Sequence, residues 1–218
     1  MNAIILQFSF YLGLIVFLSA AFMHLVKKGS TTVWLYVIQS VAIVILLLSS
    51  FEENRSLLFV AMIIATILVK VFIAPAFFFR LIKKHDLKYA VPTHLGGWLS
   101  LVAIVVMLVI TQMFYPVLPA VLAPLGKNIF LISASSILVS MLLLINRKGA
   151  LSQILGILSV ENSIVTFAIF TGLEQNPSLT LGIMFDILVW VVIASVFASM
   201  IYSHFGSLDV TGMKELTD

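Results

Sequence analysis

Two carboxylates and one lysine lie inside apolar stretches of this sequence. Glu161 occurs in GILSVENSIVTFAIF, Asp186 in LTLGIMFDILVWVVIASVF and Lys70 in LLFVAMIIATILVKVFIAP. An ionised side chain at the centre of a membrane costs about 2.5–3.5 kcal/mol, so a residue of this kind is a candidate functional site by default. Carboxylates and amines that exchange protons at membrane depth are the groups from which a proton relay is built.

The composition of the 218 residues is typical of a membrane protein. Hydrophobic residues make up 62% of the chain and charged residues 10%, whereas a soluble domain is about 45–50% apolar. The sequence has no Cys, which excludes a cysteine-ligated iron–sulfur cluster, a disulfide framework and a thiolate nucleophile. The net charge of +3 comes from cations between apolar runs, so it predicts topology rather than a nucleic-acid partner.

About seven apolar stretches are each long enough to cross a bilayer core, which needs about 20 helical residues. They are residues 3–26, 33–51, 57–82, 97–115, 127–146, 150–172 and 178–204. The first lacks a basic leader, so we expect a retained span rather than a signal peptide. Segments 83–96 and 116–124 carry Pro or Gly and are expected to be helix stops or re-entrant turns. The sequence predicts an all-α, polytopic membrane protein.

The loop charges predict the orientation of the spans. One side, together with the tail, holds Lys27, Lys28, Arg80, Lys83, Lys84, Lys88, Arg147, Lys148 and Lys214. The other side holds only Arg55 and Lys127 among the cations. By the positive-inside rule the N-terminus lies outside and the C-terminus in the cytoplasm. Glu161 then lies about 16 Å from the inner end of its helix and Asp186 about 12 Å from the outer end, so both have nearly the same depth.

Lys70 is expected to reach toward the level of the acids. It lies about 20 Å from the outer end of the third span, and helical side chains lean toward the N-terminus of their helix. Glu161 is on a helix of opposite direction, so the two tips would meet if the helices are neighbours. Pro75 frees the carbonyl of Val71, which would create a polar spot at this depth. The alternative is that Lys70 snorkels to the inner headgroups.

The two acids lie away from the small-residue faces of their helices. On the helix of Glu161 this face comprises Ser152, Gly156, Ser159, Ser163 and Thr166, and on that of Asp186 it comprises Ala194, Ser195, Ala198 and Ser199. Small residues let helices approach closely. An acid on an apolar face needs Lys70, a polar group of a neighbouring protein chain or enclosed water, or else stays protonated. The plainer alternative is a neutral acid bonded to a backbone carbonyl.

His24 and His204 each fall near the predicted cytoplasmic end of a span. A haem held by two histidines would need both imidazoles to face each other across the bundle, and we expect interfacial histidines instead. The sequence contains no glycine-rich phosphate loop, metal-ligand spacing or nucleophile elbow, so it does not predict the chemistry of a soluble enzyme.

Much of the chain resembles a known family. The matching segments are LVKVFIAP, GILSVENSI, FTGLEQNPSLTLGIMFDILVWVVIASVF and HFGSLDVTGMKEL. They resemble the component E subunit of hydrogenase-4-type and formate-hydrogenlyase-type membrane complexes. The last three spans also resemble subunit K of respiratory complex I, which carries an acid in each of its last two helices. Glu161 matches the first of these acids, and Asp186 matches the second with Asp in place of Glu.

The resemblance implies a four-helix membrane extension over residues 1–126, a subunit K-like module over 127–204 and a cytoplasmic tail over 205–218. It implies a place in the ion-translocating arm of a complex in the cytoplasmic membrane of a bacterium or archaeon. The partners would be H-like and antiporter-like membrane subunits of the complex I type and a hydrogenase peripheral arm, which would hold the nickel–iron and iron–sulfur centres.

In this setting the chain binds no cofactor and catalyses no redox step. Glu161, Asp186 and Lys70 would contribute to a lateral proton path coupled to electron transfer. Two alternatives stay open. A subunit of a multi-subunit cation/proton antiporter would use the same acids without a redox partner, and a structural membrane scaffold would tolerate neutral replacements of both.

Overall fold

The computed structural model describes residues 3–49, 57–84, 93–117 and 127–171, together with separate helical positions between 181 and 203. The described helices are α1 (Ala3–Leu25), α2 (Gly29–Ser49), α3 (Leu57–Thr66), α4 (Ala74–Lys84), α5 (Gly97–Phe114), α6 (Lys127–Asn146) and α7 (Ala150–Thr171). A π-helical segment, Ile67–Ile73, joins α3 to α4, and a short 3-10 turn, Tyr115–Val117, follows α5. Within these residues the protein is all-helical apart from an isolated bridge between Thr93 and Arg147.

Six of the described helical spans are long and apolar enough to cross a membrane. The third is the continuous run of α3, the π-helical segment and α4. The boundaries follow the first six predicted stretches closely, except that α2 begins at Gly29 rather than at residue 33. Its first turn is polar, and Thr32 bonds the carbonyl of Lys28 through both its N–H and its hydroxyl, which a hydropathy pattern does not register. The seventh predicted stretch lies outside the described residues apart from its separate helical positions.

The packed centre of the molecule is formed by α1, α2, α6 and α7. Helix α7 packs against α6 and α2, and α1 packs against α2 and α6. Helix α5 lies at the edge against α6 and α1, and most of its apolar side chains are exposed, as befits a surface that faces lipid. The buried core therefore joins helices from the first and the second half of the chain.

The small-residue face of α7 packs against α6, as the sequence predicts. Ser152, Ser159 and Ser163 are buried. A Cβ atom added to Gly156 would lie 2.9 Å from the Cα atom of Leu144, which is closer than real carbon contacts allow. Glycine is thus required at this position for α6 and α7 to approach as closely as they do.

The third span changes its helical register around Lys70. The N–H of Ala74 donates to the carbonyl of Val69, five residues back instead of four, and Pro75 follows with no N–H to donate. A proline ring clashes with the carbonyl four residues earlier in an α-helix, and a wider π turn relieves this clash. The disturbance predicted from Pro75 thus takes the form of a π-helical segment that contains Lys70.

Candidate functional site

A buried ion pair lies at the centre of the described helices. The Nζ atom of Lys70 is 2.9 Å from Oε1 of Glu161, with the lysine side chain 1% exposed and the glutamate 16% exposed. Lys70 belongs to the π-helical segment and Glu161 to α7. The prediction that their tips converge is confirmed by this distance. Lys70 does not snorkel to the headgroups, because its ammonium group points into the bundle.

Asn162 is a second partner of the same ammonium group. Its Oδ1 accepts a hydrogen bond of 2.9 Å from Lys70 Nζ, and its side chain is fully buried. Glu161 and Asn162 are consecutive on α7, so their side chains leave the helix about 100° apart. Lys70 enters between them from the third span. The ammonium group of Lys70 is therefore held by a carboxylate oxygen and a carboxamide oxygen from adjacent positions of α7.

Two carboxamides continue the hydrogen bonding away from Lys70. Asn162 Nδ2 donates to Oε1 of Gln39 at 3.4 Å and to Oγ of Ser40 at 3.2 Å. Gln39 Nε2 in turn donates to the carbonyl of Val16 and to Oγ of Ser159, both at 3.1 Å. Both amide hydrogens of each residue are therefore used. Each side chain has one orientation that satisfies these partners.

Serine hydroxyls complete the series between α6 and α7. Oγ of Ser140 lies 3.0 Å from Oγ of Ser159 and 2.9 Å from Oγ of Ser163. Ser163 also reaches the carbonyl of Ser159 at 2.9 Å. We call this series the polar chain: Lys70, Asn162, Gln39, Ser159, Ser140 and Ser163. Its members lie near the middle of their helices, where unpaired polar groups would be expensive.

Tyr36 of α2 is also close to the ion pair. Its side chain is fully buried. Ser40, one turn further along α2, accepts a hydrogen bond from Asn162, so Tyr36 is on the face of α2 that meets the pair. Tyr36 therefore adds a dipole to the surroundings of Glu161 from the side of α2.

A second buried cation, Arg147, lies directly after α6. Its side chain is 1% exposed, and its guanidinium group donates to the carbonyls of Met23 and Val26. These carbonyls are at the end of α1, where the last turn has no donors of its own and favours a positive charge. Burial lowers the pKa of Arg147 from its ordinary value. Arg147 thus acts as a side-chain cap for α1 rather than as a cation exposed in a loop.

Asn146 adds bonds to the segment that precedes α5. Its Oδ1 accepts from the N–H of Leu95 at 2.6 Å, its Nδ2 donates to Oγ of Ser100 at 2.9 Å, and its backbone carbonyl accepts from His94 N–H at 2.9 Å. We call Asn146 and Arg147 with these backbone and serine partners the Arg147 cluster. It ties together the ends of α1, α5 and α6.

His24, near the end of α1, is buried within the protein. It is 3% exposed, and its Nε2 donates to the carbonyl of Val139 at 3.0 Å. His24 lies one residue before the end of α1, and α6 covers its side chain; the expectation of an interfacial histidine stays a prediction. His204, the other predicted interfacial histidine, lies outside the described residues, as does the predicted second acid, Asp186.

Sequence reasoning did not single out Gln39 and Asn162. The signal was present, because each is a carboxamide within an apolar run. Polar side chains inside membrane spans face the bundle interior and bond across helices. Two such residues in different spans therefore predict a contact between those spans.

The described residues of the site offer proton-exchanging and hydrogen-bonding groups. Within the described ranges, no group of three or more His, Cys, Asp or Glu side chains could hold a metal ion. Comparisons with models of protein families, with curated proteins and with solved structures find no match to this chain.

Proposed function

We propose that this protein is a membrane-arm subunit of a complex I-like, membrane-bound hydrogenase complex, in which it carries protons laterally through the apolar layer. The observation that supports this most directly is the buried ion pair of Lys70 and Glu161 at 2.9 Å. When a carboxylate and an ammonium group are in direct contact, moving a single proton from the nitrogen to the oxygen neutralises both groups. This makes the pair suited to a step of a relay.

The surroundings of the pair favour such a step. Burial disfavours the ionised form of both groups, whereas their mutual attraction favours it. When these opposing effects are nearly balanced, a charge that arrives nearby decides whether the pair is ionised or neutral. A relay uses this property, because a proton delivered to Glu161 weakens the hold on the proton of Lys70.

The resemblance of the sequence supplies the setting of the proposal. Glu161 matches the first intramembrane acid of the subunit K-like family, and Asp186 would be the second acid at the same depth. In this arrangement the chain has seven spans with the N-terminus outside and the C-terminus in the cytoplasm. A reporter fused after Asp218 is then cytoplasmic, and one placed at Glu174 is not.

The decisive experiment replaces the acids by their amides in the native complex. Glu161→Gln and Asp186→Asn keep the shape of the side chains but cannot carry a proton. We expect both variants to assemble and to pass electrons to artificial acceptors, while proton pumping into vesicles falls sharply.

The matched control is Glu174→Gln, an acid outside the predicted spans, which we expect to pump as the wild type does. If Glu161→Gln and Asp186→Asn both pump at the wild-type rate, the relay is ruled out and a structural scaffold becomes the better interpretation.

A further inference from the structure

We infer that Asn162 is the positioning residue for the Lys70 ammonium group, and that the polar chain behind it is an anchor rather than a second proton path. This inference rests on the proposed role of the Lys70 and Glu161 pair. It also assigns a side to proton transfer, because protons then enter and leave the pair at Glu161 and not through Asn162.

The first support is the complete use of the amide groups. Asn162 directs its oxygen to Lys70 and both hydrogens to Gln39 and Ser40. If its amide were reversed, an NH2 group would face the ammonium, donor against donor. Gln39 prevents this reversal, because its own hydrogens are held by the carbonyl of Val16 and by Ser159, which leaves its oxygen toward Asn162.

The second support is the chemistry of carboxamides. Amide nitrogens and oxygens donate and accept hydrogen bonds, but they do not take up or release protons near neutral pH. The serine hydroxyls of the polar chain are connected to Lys70 only by way of Gln39 and Asn162 among the described contacts. The two amides therefore interrupt proton transfer along the polar chain from Lys70 toward α6.

The third support is the difference in exposure within the pair. Lys70 is 1% exposed and Glu161 is 16% exposed. The ammonium group is enclosed by the bundle, whereas part of the Glu161 side chain is exposed although its Oε1 atom is buried. The open side of the pair is thus the acid, and the closed side is the amide anchor.

A hydrophobic carbodiimide tests the anchoring without any measurement of pumping. Dicyclohexylcarbodiimide adds to protonated carboxyl groups in apolar surroundings and leaves a stable N-acylurea, which mass spectrometry locates on the peptide of Glu161. A fixed ammonium beside Glu161 keeps the carboxylate ionised, so we expect slow labelling of the wild-type complex in lipid nanodiscs. Lys70→Met should give the fastest labelling of Glu161, because it removes the cation.

Asn162→Leu removes the oxygen that holds Lys70 while keeping the same number and branching of side-chain heavy atoms. We expect labelling of Glu161 at fixed pH to rise at least about tenfold, the effect of losing one hydrogen bond to a charged group. Gln39→Met keeps Asn162 but removes the oxygen that accepts a hydrogen bond from its amide, so the rise in labelling should be smaller. Ser136→Ala is the control, because the hydroxyl of this buried α6 residue donates to the carbonyl of Ile132 in its own helix.

Labelling of Asn162→Leu at the wild-type rate, with Lys70→Met fast, would overturn the inference. Should Asn162→Leu fail to assemble, the labelling rate of Gln39→Met is compared with the rates of the wild type and of Lys70→Met. A wild-type rate for Gln39→Met would again overturn the inference. The result is separate from the proposed function, since labelling reports the position of Lys70 whether or not Glu161→Gln impairs pumping.

Discussion

Two regions of the molecule bury a cation, and they do so with different partners. Lys70 is held by a carboxylate and a carboxamide in the middle of the helices. Arg147 is held by the backbone carbonyls of Met23 and Val26 at a helix end. Arginine does not lose its proton in proteins, whereas lysine does so readily when it is buried. The Arg147 cluster is therefore a fixed charge, whereas the proposed relay requires the Lys70 site to exchange a proton.

The type of partner distinguishes a structural cation from a candidate functional one more clearly than burial does. Both side chains are 1% exposed, so burial alone would give them equal weight. Because its partners are backbone carbonyls, Arg147 serves to complete the hydrogen bonding at the end of α1. A titratable partner makes Lys70 a candidate for proton exchange in the proposed relay. The chemical type of the partner is what marks a buried cation as a candidate for ion transfer.

Exchanging the two kinds of cation gives the largest expected effect. Lys70→Arg keeps the positive charge but cannot release a proton, so we expect pumping to fall by about a hundredfold or more, the range for loss of an acid–base group. Arg147→Lys keeps a charge at the end of α1, so we expect an assembled complex that pumps nearly normally. Vesicle pumping and electron transfer are measured on both variants.

The comparison would fail if Lys70→Arg pumped normally, since a fixed charge would then suffice at both sites. Lys70→Met, which also abolishes exchange but adds no bulk, shows whether a loss of pumping in Lys70→Arg comes from the missing proton exchange or from the larger size of arginine. Equal loss of pumping in both Lys70 variants is the expected pattern.

Breaking the pair should also reduce stability more than removing it. Glu161→Leu leaves the Lys70 ammonium without its carboxylate, and loss of one member of a buried pair costs about 3–5 kcal/mol. The double variant Lys70→Met with Glu161→Leu removes both charges and should recover most of this loss. Thermal unfolding of the complex in detergent, compared as a double-mutant cycle, measures the coupling. Additive effects of the two substitutions would show that the charges do not interact.

Some of this arrangement follows from the sequence and some does not. The convergence of Lys70 and Glu161 is predictable, because depth and the lean of side chains depend only on helix geometry. The role of Asn162 is not, since it depends on Gln39 being brought to α7 by the packing of α2, a contact between distant parts of the chain. Asp186 stays a prediction, because it lies outside the described residues.

The same distinction applies to Arg147. Its position between two spans is evident from the hydropathy pattern, and it was counted there as a loop cation that reports orientation. Whether such a cation meets headgroups or backbone carbonyls depends on where α1 ends relative to α6. That relation is set by tertiary packing, so the burial of Arg147 could not be predicted from its place in the chain.

Separating α6 from α7 tests whether close packing holds the serine end of the polar chain. Gly156→Ala places a methyl group 2.9 Å from the Cα atom of Leu144, and overpacking of this kind costs about 1–3 kcal/mol. The control is Gly96→Ala, where an added Cβ meets nothing within 4 Å. Thermal stability should fall for Gly156→Ala only. Equal stability of the two variants would contradict a tight contact between these helices.

Ser140→Ala has the smallest expected effect and separates an anchor from a proton path. The hydroxyl of Ser140 joins Ser159 and Ser163 at the end of the polar chain farthest from Lys70. Its loss removes neutral hydrogen bonds, each worth about 0.5–1.5 kcal/mol, so we expect a slight decrease in melting temperature. Pumping should stay within about twofold of wild type, because protons do not pass the amides of Asn162 and Gln39.

A strong loss of pumping in Ser140→Ala would contradict the anchor, since a remote hydroxyl matters to transfer only if protons reach it. Ser136→Ala, on the same helix and bonded to a carbonyl within it, shows how much pumping falls from the loss of a buried hydroxyl alone. The ratio of pumping to electron transfer is the quantity to compare, because a general loss of assembled complex lowers both rates together. An unchanged ratio in both variants would indicate that proton transfer is confined to the titratable groups, Lys70 and Glu161.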